Sequence, residues 1–411
     1  TNTDVVLLEE EMKKLEEKIK LYEEILTNPD KLNSVIKEDL RKIKKEYGIP
    51  RRTEIREELE EIKVDTTRMI PKEQVVVVVT NEGYIKKVPQ RSYNTAKEEE
   101  TTLKENDYVT GLYNITTTDT LLLFTNLGNY LYLPVYDIPE VKWKELGKHI
   151  SNIISLSPEE KVINSIPVYN FDEERHITSF TKNGMVKRTL LNEFKVQRYS
   201  KPIKMMNLKG TDEVISVTDS TLSNVFIATS NGYGLWYDIN EVPVVGIKAA
   251  GVKAISLKDD YVVSGILFDV ASEYLTILTD KGTAKRMRLT ELEKTSRAKR
   301  GILLMKTIKS NPSKIIKAYI INSKNQIGIV SDDYSKIVKL TEISIMDRYS
   351  NGSYVIKDRI LSSYNIKGME TYNDKEKEDK TSIKVEKSAV SLKEIDDKLS
   401  SIDSIINDSY E

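Results

Sequence analysis

The chain has 411 residues, of which 39% are hydrophobic and 31% charged, and a formal net charge of −1. That length allows two or three structural units with a sizeable core. It holds no cysteine, which excludes a disulfide framework and a thiolate metal site, and no apolar run approaches the roughly 18 residues of a membrane helix.

Thr1-Asn2-Thr3-Asp4 forms no signal peptide, and a start without Met points to a fragment of a longer, cytoplasmic chain. Residues 1–50 are expected to be helical. Leu8, Met12, Leu15, Ile19, Tyr22 and Leu26 step by 4, 3, 4, 3 and 4, a heptad seam for a coiled coil. Asn28-Pro29-Asp30 breaks the pattern. A second helix follows with Leu32, Val35, Ile36, Leu40, Ile43 and Tyr47 on one face, punctuated by Pro29 inside its start and Gly48-Ile49-Pro50 past its end. Residues 51–72 read as a charged connector opening with Arg51-Arg52-Thr53.

A repeat begins at residue 73. Short apolar runs hit tight turns at Thr80-Asn81-Glu82-Gly83, Thr125-Asn126-Leu127-Gly128, Thr181-Lys182-Asn183-Gly184, Thr229-Ser230-Asn231-Gly232 and Thr279-Asp280-Lys281-Gly282, with a degenerate copy at Ser331-Asp332-Asp333-Tyr334. The glycines lie 45, 56, 48 and 50 residues apart, and Tyr334 follows 52 later. Glycine closes such a hairpin without strain at positive φ. A second element precedes the later turns: Leu103 to Val109, Leu208 to Val214 and Leu257 to Val262 each join a polar turn to an apolar strand. Together they supply about four strands per period near fifty, the mark of a radial β-array. The expected fold class is therefore α+β: N-terminal coiled-coil helices, then a six-bladed, propeller-like all-β domain over residues 73–365. Residues 366–411, rich in Lys, Glu, Asp and Ser, are expected to be a disordered tail, with Leu392, Ile395, Leu399, Ile402 and Ile406 able to line one amphipathic helix.

No catalytic residue is assigned. His149 and His176 lack partners at useful spacing, no Gly-Lys-Ser/Thr phosphate loop occurs, and Asp259-Asp260 and Asp332-Asp333 read as turn carboxylates rather than metal ligands. The informative residues are basic. From Val75 to Ile360 there are 39 Lys+Arg against 33 Asp+Glu, so the array is near +6. The cations recur on the strand leaving each hairpin and in the following loop: Lys86, Lys87 and Arg91; Lys142, Lys144 and Lys148; Lys187, Arg188, Lys195, Arg198 and Lys201; Lys248 and Lys253; then Lys285, Arg286, Arg288, Lys294, Arg297, Lys299 and Arg300. Any one of these fits a solvated strand edge. Recurrence at one phase of a repeat fits a rim that neutralises successive phosphates of duplex DNA.

Three stretches carry a resemblance: Trp143-Lys144-Glu145-Leu146-Gly147-Lys148-His149-Ile150-Ser151, Lys248-Ala249-Ala250-Gly251-Val252-Lys253 and Arg297-Ala298-Lys299-Arg300-Gly301. With the helical entry and the phased repeat, they resemble the C-terminal half of the A subunit of bacterial type IIA topoisomerases, on the topoisomerase IV side. The resemblance implies that residues 1–47 are the returning arm of a coiled coil near the dimeric exit gate, and that the array is a β-pinwheel whose basic rim binds DNA. It also implies an ATP-dependent isomerase that passes one duplex through another and decatenates chromosomes. The A subunit would be a homodimer within a heterotetramer, the nucleophilic tyrosine would lie upstream, and ATP and Mg²⁺ would belong to the B subunit. No cofactor is expected in this chain.

One departure bears on the branch. Where gyrase A subunits carry a Gln-Arg-Arg-Gly-Gly-Lys-Gly wrapping box, the corresponding loop reads Gln90-Arg91-Ser92-Tyr93-Asn94-Thr95-Ala96-Lys97 followed by Glu98 to Glu100. A gyrase subunit with a diverged box, a protein-binding kelch or WD-type propeller, and a structural coiled-coil protein with a β cap are the alternative readings.

Overall fold

The computed structural model describes residues 5–49, 70–96, 99–306, 308 and 310–371, in two compact units, 1–64 and 65–411. The connector up to residue 69, the tail beyond 371 and its proposed helix lie outside the described residues. In the first unit, α1 (Val5–Thr27) and α2 (Pro29–Tyr47) are separated by Asn28. The Asn28 Oδ1 accepts from the Asp30 and Lys31 amides at 3.0 and 3.4 Å, capping α2 with Pro29 at its first turn. The heptad seam is at least 55% exposed at Leu8, Met12, Leu15, Ile19, Tyr22 and Leu26.

The second unit is a ring of six blades. Blade 3, from the axis outward, consists of Val214–Thr218, His176–Thr181, Met185–Leu190 and Val252–Lys253. The middle two strands are the hairpin read from sequence. The outermost strand is only two residues long, and the chain supplies it after completing the next blade's hairpin. Lys148–His149 edges blade 1 in this way, Ile203–Lys204 blade 2, Ile302–Leu303 blade 4 and Ser353–Tyr354 blade 5. Five blades are thus stapled to their successors. Blade 6 has three strands among the described residues, and Ser335–Lys339 is its outer edge.

The recurrent sequence elements have a common mechanics. In the first four turns the opening threonine accepts with its hydroxyl from the amide just past the glycine, as in Tyr84 N to Thr80 Oγ1 at 3.1 Å and Tyr233 N to Thr229 Oγ1 at 3.1 Å. The second element brings a carboxylate to the turn. Asp107, Asp212 and Asp260 accept from the turn amides of Glu82, Asn183 and Asn231 at 2.8–3.0 Å. The core lies between blades. Val75 and Val77 of blade 1 pack with Leu121 and Leu123 of blade 2, and Phe226 of blade 4 with Leu275 and Ile277 of blade 5. Each such side chain contributes about 1.5–3 kcal/mol on burial.

The ring closes where Tyr108 stacks on Tyr364 at 3.6 Å, and where Glu370–Thr371 runs parallel to Val109–Thr116. Residues 366–371, assigned by composition to the tail, are therefore part of the propeller. The wrapping-box position is not a loop. Residues Gln90–Ala96 form a short helix, α3, whose Tyr93 ring meets Trp143 edge-on at 5.0 Å.

Candidate nucleic-acid interface

The link from each hairpin to the donated outer strand is a strap across the blade's rim, and the expected DNA contacts divide according to how they meet it. Lys142, Lys144 and Lys148 on the blade 1 strap are exposed. So are Arg198 and Lys201 on blade 2, Lys248 and Lys253 on blade 3, and Lys299 and Arg300 on blade 4. Arg91 on α3 and Arg288 at the end of a blade 5 strand are exposed as well. Lys204 escaped the sequence pattern. It is exposed on Ile203–Lys204, the counterpart of Val252–Lys253, and that shared two-residue pattern is the signal that could have found it.

The other expected contacts face inward. Lys86, Lys187 and Lys285 are at most 2% exposed. The Lys86 ammonium donates to the carbonyls of Trp143 and Glu145, both at 2.6 Å, and to Thr101 Oγ1 at 2.5 Å. The Lys187 ammonium donates to Met205 O and Ile247 O at 2.6 Å and to Gly246 O at 3.3 Å. The Lys285 ammonium donates to Asp347 O and Arg348 O at 2.9 and 2.8 Å. Their chain neighbours also hold straps: Lys87 Nζ to Tyr136 O, Arg188 Nε to Val242 O and Arg286 Nε to Ile343 O, at 2.8–3.1 Å. All six thus give at least one donor to a strap carbonyl, and Lys86, Lys187 and Lys285 are turned away from solvent. Strand alternation explains only part of this, since both residues of each pair can reach a strap that folds over the strand.

Arg297 is likewise committed. Its Nε donates to Glu241 O at 2.8 Å and its Nη1 to Lys253 O at 2.5 Å. Lys144 is exposed but bridges Glu99 at 2.9 Å, so an acid beside α3 reduces the positive field there. Lys294 bridges Asp238 at 2.7 Å, which holds the Asp238 carboxyl below the usual carboxylate range. Arg300 lies over the Tyr233 ring at 4.3 Å with its guanidinium open to solvent.

Burial lowers the pKa of Lys86, Lys187 and Lys285 to about 8, opposed in part by Glu145 for the first, Glu193 for the second, and Asp347 and Glu291 for the third. His149 packs edge-on to Tyr84 at 5.4 Å and accepts from the Ser151 amide. His176 is half-buried, and burial lowers its pKa. Among the described residues there is no cluster of His, Asp or Glu suited to a metal ion and no helix long and apolar enough to cross a membrane. What the rim can do chemically is bind a repeating anion without reading sequence.

Comparison with known proteins agrees with this geometry. The family described as "DNA gyrase C-terminal domain, beta-propeller" matches residues 74–97, 119–168, 176–218, 223–268 and 273–322. The A subunit of DNA topoisomerase 4 from Bacillus subtilis (strain 168) is 43% identical over 357 residues, covering 86% of this chain and 44% of the relative. Its counterpart from Staphylococcus aureus (strain MRSA252) is 38% identical over 361 residues, 87% of this chain and 45% of its own length. The chain thus spans less than half the length of these relatives. A crystal structure of the C-terminal domain of DNA topoisomerase IV superposes with a TM-score of 0.70 at 40% identity, covering 72% of this chain and 94% of that one. The chain belongs to the gyrase C-terminal-domain β-propeller family, and it is similar in sequence to A subunits of DNA topoisomerase 4 and in structure to the C-terminal domain of DNA topoisomerase IV.

Proposed function

We propose that this chain is the duplex-binding region of a topoisomerase IV A subunit, and that its propeller holds and guides DNA while the whole enzyme passes one duplex through another. The observation that carries the reading is the row of exposed cations on successive straps: Lys142 and Lys148, Arg198, Lys201 and Lys204, Lys248 and Lys253, Lys299 and Arg300. They occupy the same place on consecutive blades, so a duplex laid along the rim meets one group of charges per blade. In this reading the contacts are to phosphate, and affinity is non-specific and steeply salt-dependent.

For the intact enzyme the reading assigns the strand-cleaving tyrosine to another part of the same polypeptide, and ATP with Mg²⁺ to a partner B subunit. It makes α1 an arm of a coiled coil in an A-subunit dimer, which the exposed apolar seam supports. Decatenation and association with the chromosome follow from the same assignment. Two features favour topoisomerase IV over gyrase. Residues 90–96 form a helix without the glycines and second arginine of the wrapping box, and identity to the topoisomerase IV domain is 40%.

The test is binding of the chain to a short duplex of arbitrary sequence across a salt series. Steep, sequence-independent loss of affinity supports the reading. Binding that is absent at low salt, or insensitive to salt, contradicts it.

A further inference from the structure

Three residues past each turn glycine, the side chain alternates around the ring. The position holds Lys86 in blade 1, Leu131 in blade 2, Lys187 in blade 3, Leu235 in blade 4 and Lys285 in blade 5. All five are buried, at 0–2% exposure. Leucine shows that the site accepts an apolar group, so three ammonium groups there need a reason: an unpaired buried charge is costly. None of the three has a carboxylate within ion-pair distance among the described residues. An ammonium has three donors. Lys187 spends all three on carbonyls, and Lys86 spends its three on two carbonyls and a hydroxyl.

Apart from Met205 O, the gripped carbonyls all lie on the straps. Trp143 O and Glu145 O flank Lys144. Ile247 O immediately precedes Lys248. Asp347 O and Arg348 O bracket the peptide that leads into and out of Arg348, whose guanidinium lies over the Tyr349 ring at 4.7 Å. In blades 1 and 3 the buried lysine therefore holds the strap within one residue of an exposed lysine, Lys144 or Lys248, and in blade 5 it holds the strap at the half-buried Arg348. The leucine blades hold their straps by other means. Tyr199 packs on Tyr132 at 5.4 Å in blade 2, and Arg297 bonds Glu241 O and Lys253 O in blade 4.

We propose that Lys86, Lys187 and Lys285 are positioning residues, each locking the strap of an odd-numbered blade so that the exposed cations of that strap, Lys248 in blade 3 and Lys142 and Lys148 in blade 1, stand at fixed places on the DNA-facing rim. The proposal rests on the duplex-binding reading above. Its physical content is preorganisation. A strap already held from inside loses little conformational freedom when its cation meets a phosphate.

The test uses the full chain with K187L, which installs the residue already found at this position in blades 2 and 4. Amide hydrogen exchange of residues 244–253 is measured without DNA, and duplex affinity is measured at one low salt concentration in the wild-type and K248A/K253A backgrounds. Exchange in the strap is expected to speed up about tenfold in a folded variant. Affinity is expected to fall about three- to tenfold in the wild-type background and less than about twofold when Lys248 and Lys253 are already absent. Strap exchange unchanged in folded K187L overturns the proposal, as does an affinity loss of equal size in both backgrounds. A wild-type chain that binds no duplex overturns the proposal together with the reading beneath it. That case is distinguished by failing before any variant is compared. Should K187L not fold, K285L read on residues 344–353 is the same test, with two carbonyl bonds removed in place of three.

Discussion

The Lys187 ammonium lies 2.6 Å from the carbonyl of Ile247, and the next residue, Lys248, is exposed. One lysine is therefore consumed inside the blade while the other faces solvent a residue beyond the bond. The same division runs through the rim, and it separates cations open to solvent from those that hold the straps.

Arg297, Lys299 and Arg300 stand close together in sequence but on opposite sides of that division. K299A/R300A should weaken duplex binding by roughly 1–3 kcal/mol and reduce the salt slope by about two, while costing no more than about 1 kcal/mol of stability for the lost Tyr233 contact. R297A removes a guanidinium bonded to Glu241 O and Lys253 O, so it should cost about 1–3 kcal/mol of stability. Urea unfolding beside a binding titration checks both. A destabilised K299A/R300A with normal affinity would reverse the assignment.

Glycine substitutions offer a test of the strap joints. Gly251 sits at φ +81°, and a Cβ there would lie 2.5 Å from the Val186 carbonyl. Gly210, at φ +58°, has nothing within 4 Å. Gly210→Ala should cost only the left-handed backbone penalty, about 1 kcal/mol. Gly251→Ala adds a backbone clash and should cost more, on the order of 2–4 kcal/mol. Equal thermal shifts for the two would show that the Val186 contact is not tight.

The hairpins were legible in the sequence because Thr-x-x-Gly is a local device: one hydroxyl and one positive φ make the turn wherever it occurs. The six-fold count followed from spacing alone. The exchange of outer strands was not legible. Val252–Lys253 is two residues long, and its partner Met185–Leu190 lies more than sixty residues away. The fate of Lys86, Lys187 and Lys285 was hidden for a related reason. A lysine in a strand reads as solvent-facing unless the segment that covers it can be placed, and here the cover comes from beyond the next blade's hairpin. The box position reads as a loop only through its correspondence with the gyrase wrapping box. Tyr93 against Trp143 supplies the tertiary contact that helps hold it as a helix.

The buried lysines also set a pH dependence. In the folded chain the pKa of Lys187 is lowered to about 8 from the ordinary 10.5, by burial first, with Glu193 opposing. Between those values the unfolded chain holds the proton more tightly, so wild-type stability gains from this group as pH rises through that window. K187L lacks the group. The stability difference between wild type and K187L should therefore shift in favour of wild type from about pH 7 to about pH 9.5, read as urea midpoints. A constant or opposite shift would contradict a desolvated ammonium.

Wrapping separates the two topoisomerase branches. With α3 in place of a glycine-rich basic loop, and with Glu99 bridging Lys144, the chain should bind duplex without constraining a superhelical turn. Religating a nicked plasmid in its presence should leave the topoisomer distribution centred as in its absence. A strong shift to positive writhe would mark the propeller as one that wraps DNA.

The most direct measurement is the salt slope of duplex binding. Log affinity of the full chain for a duplex of arbitrary sequence, plotted against log salt concentration, should fall linearly with a slope near −0.9 for each phosphate neutralised. Contacts from straps on several consecutive blades should make it steep, about −4 or beyond, and equal for unrelated sequences. A shallow slope near zero, or affinity that depends on base sequence with little effect of salt, would contradict a rim built to hold phosphates.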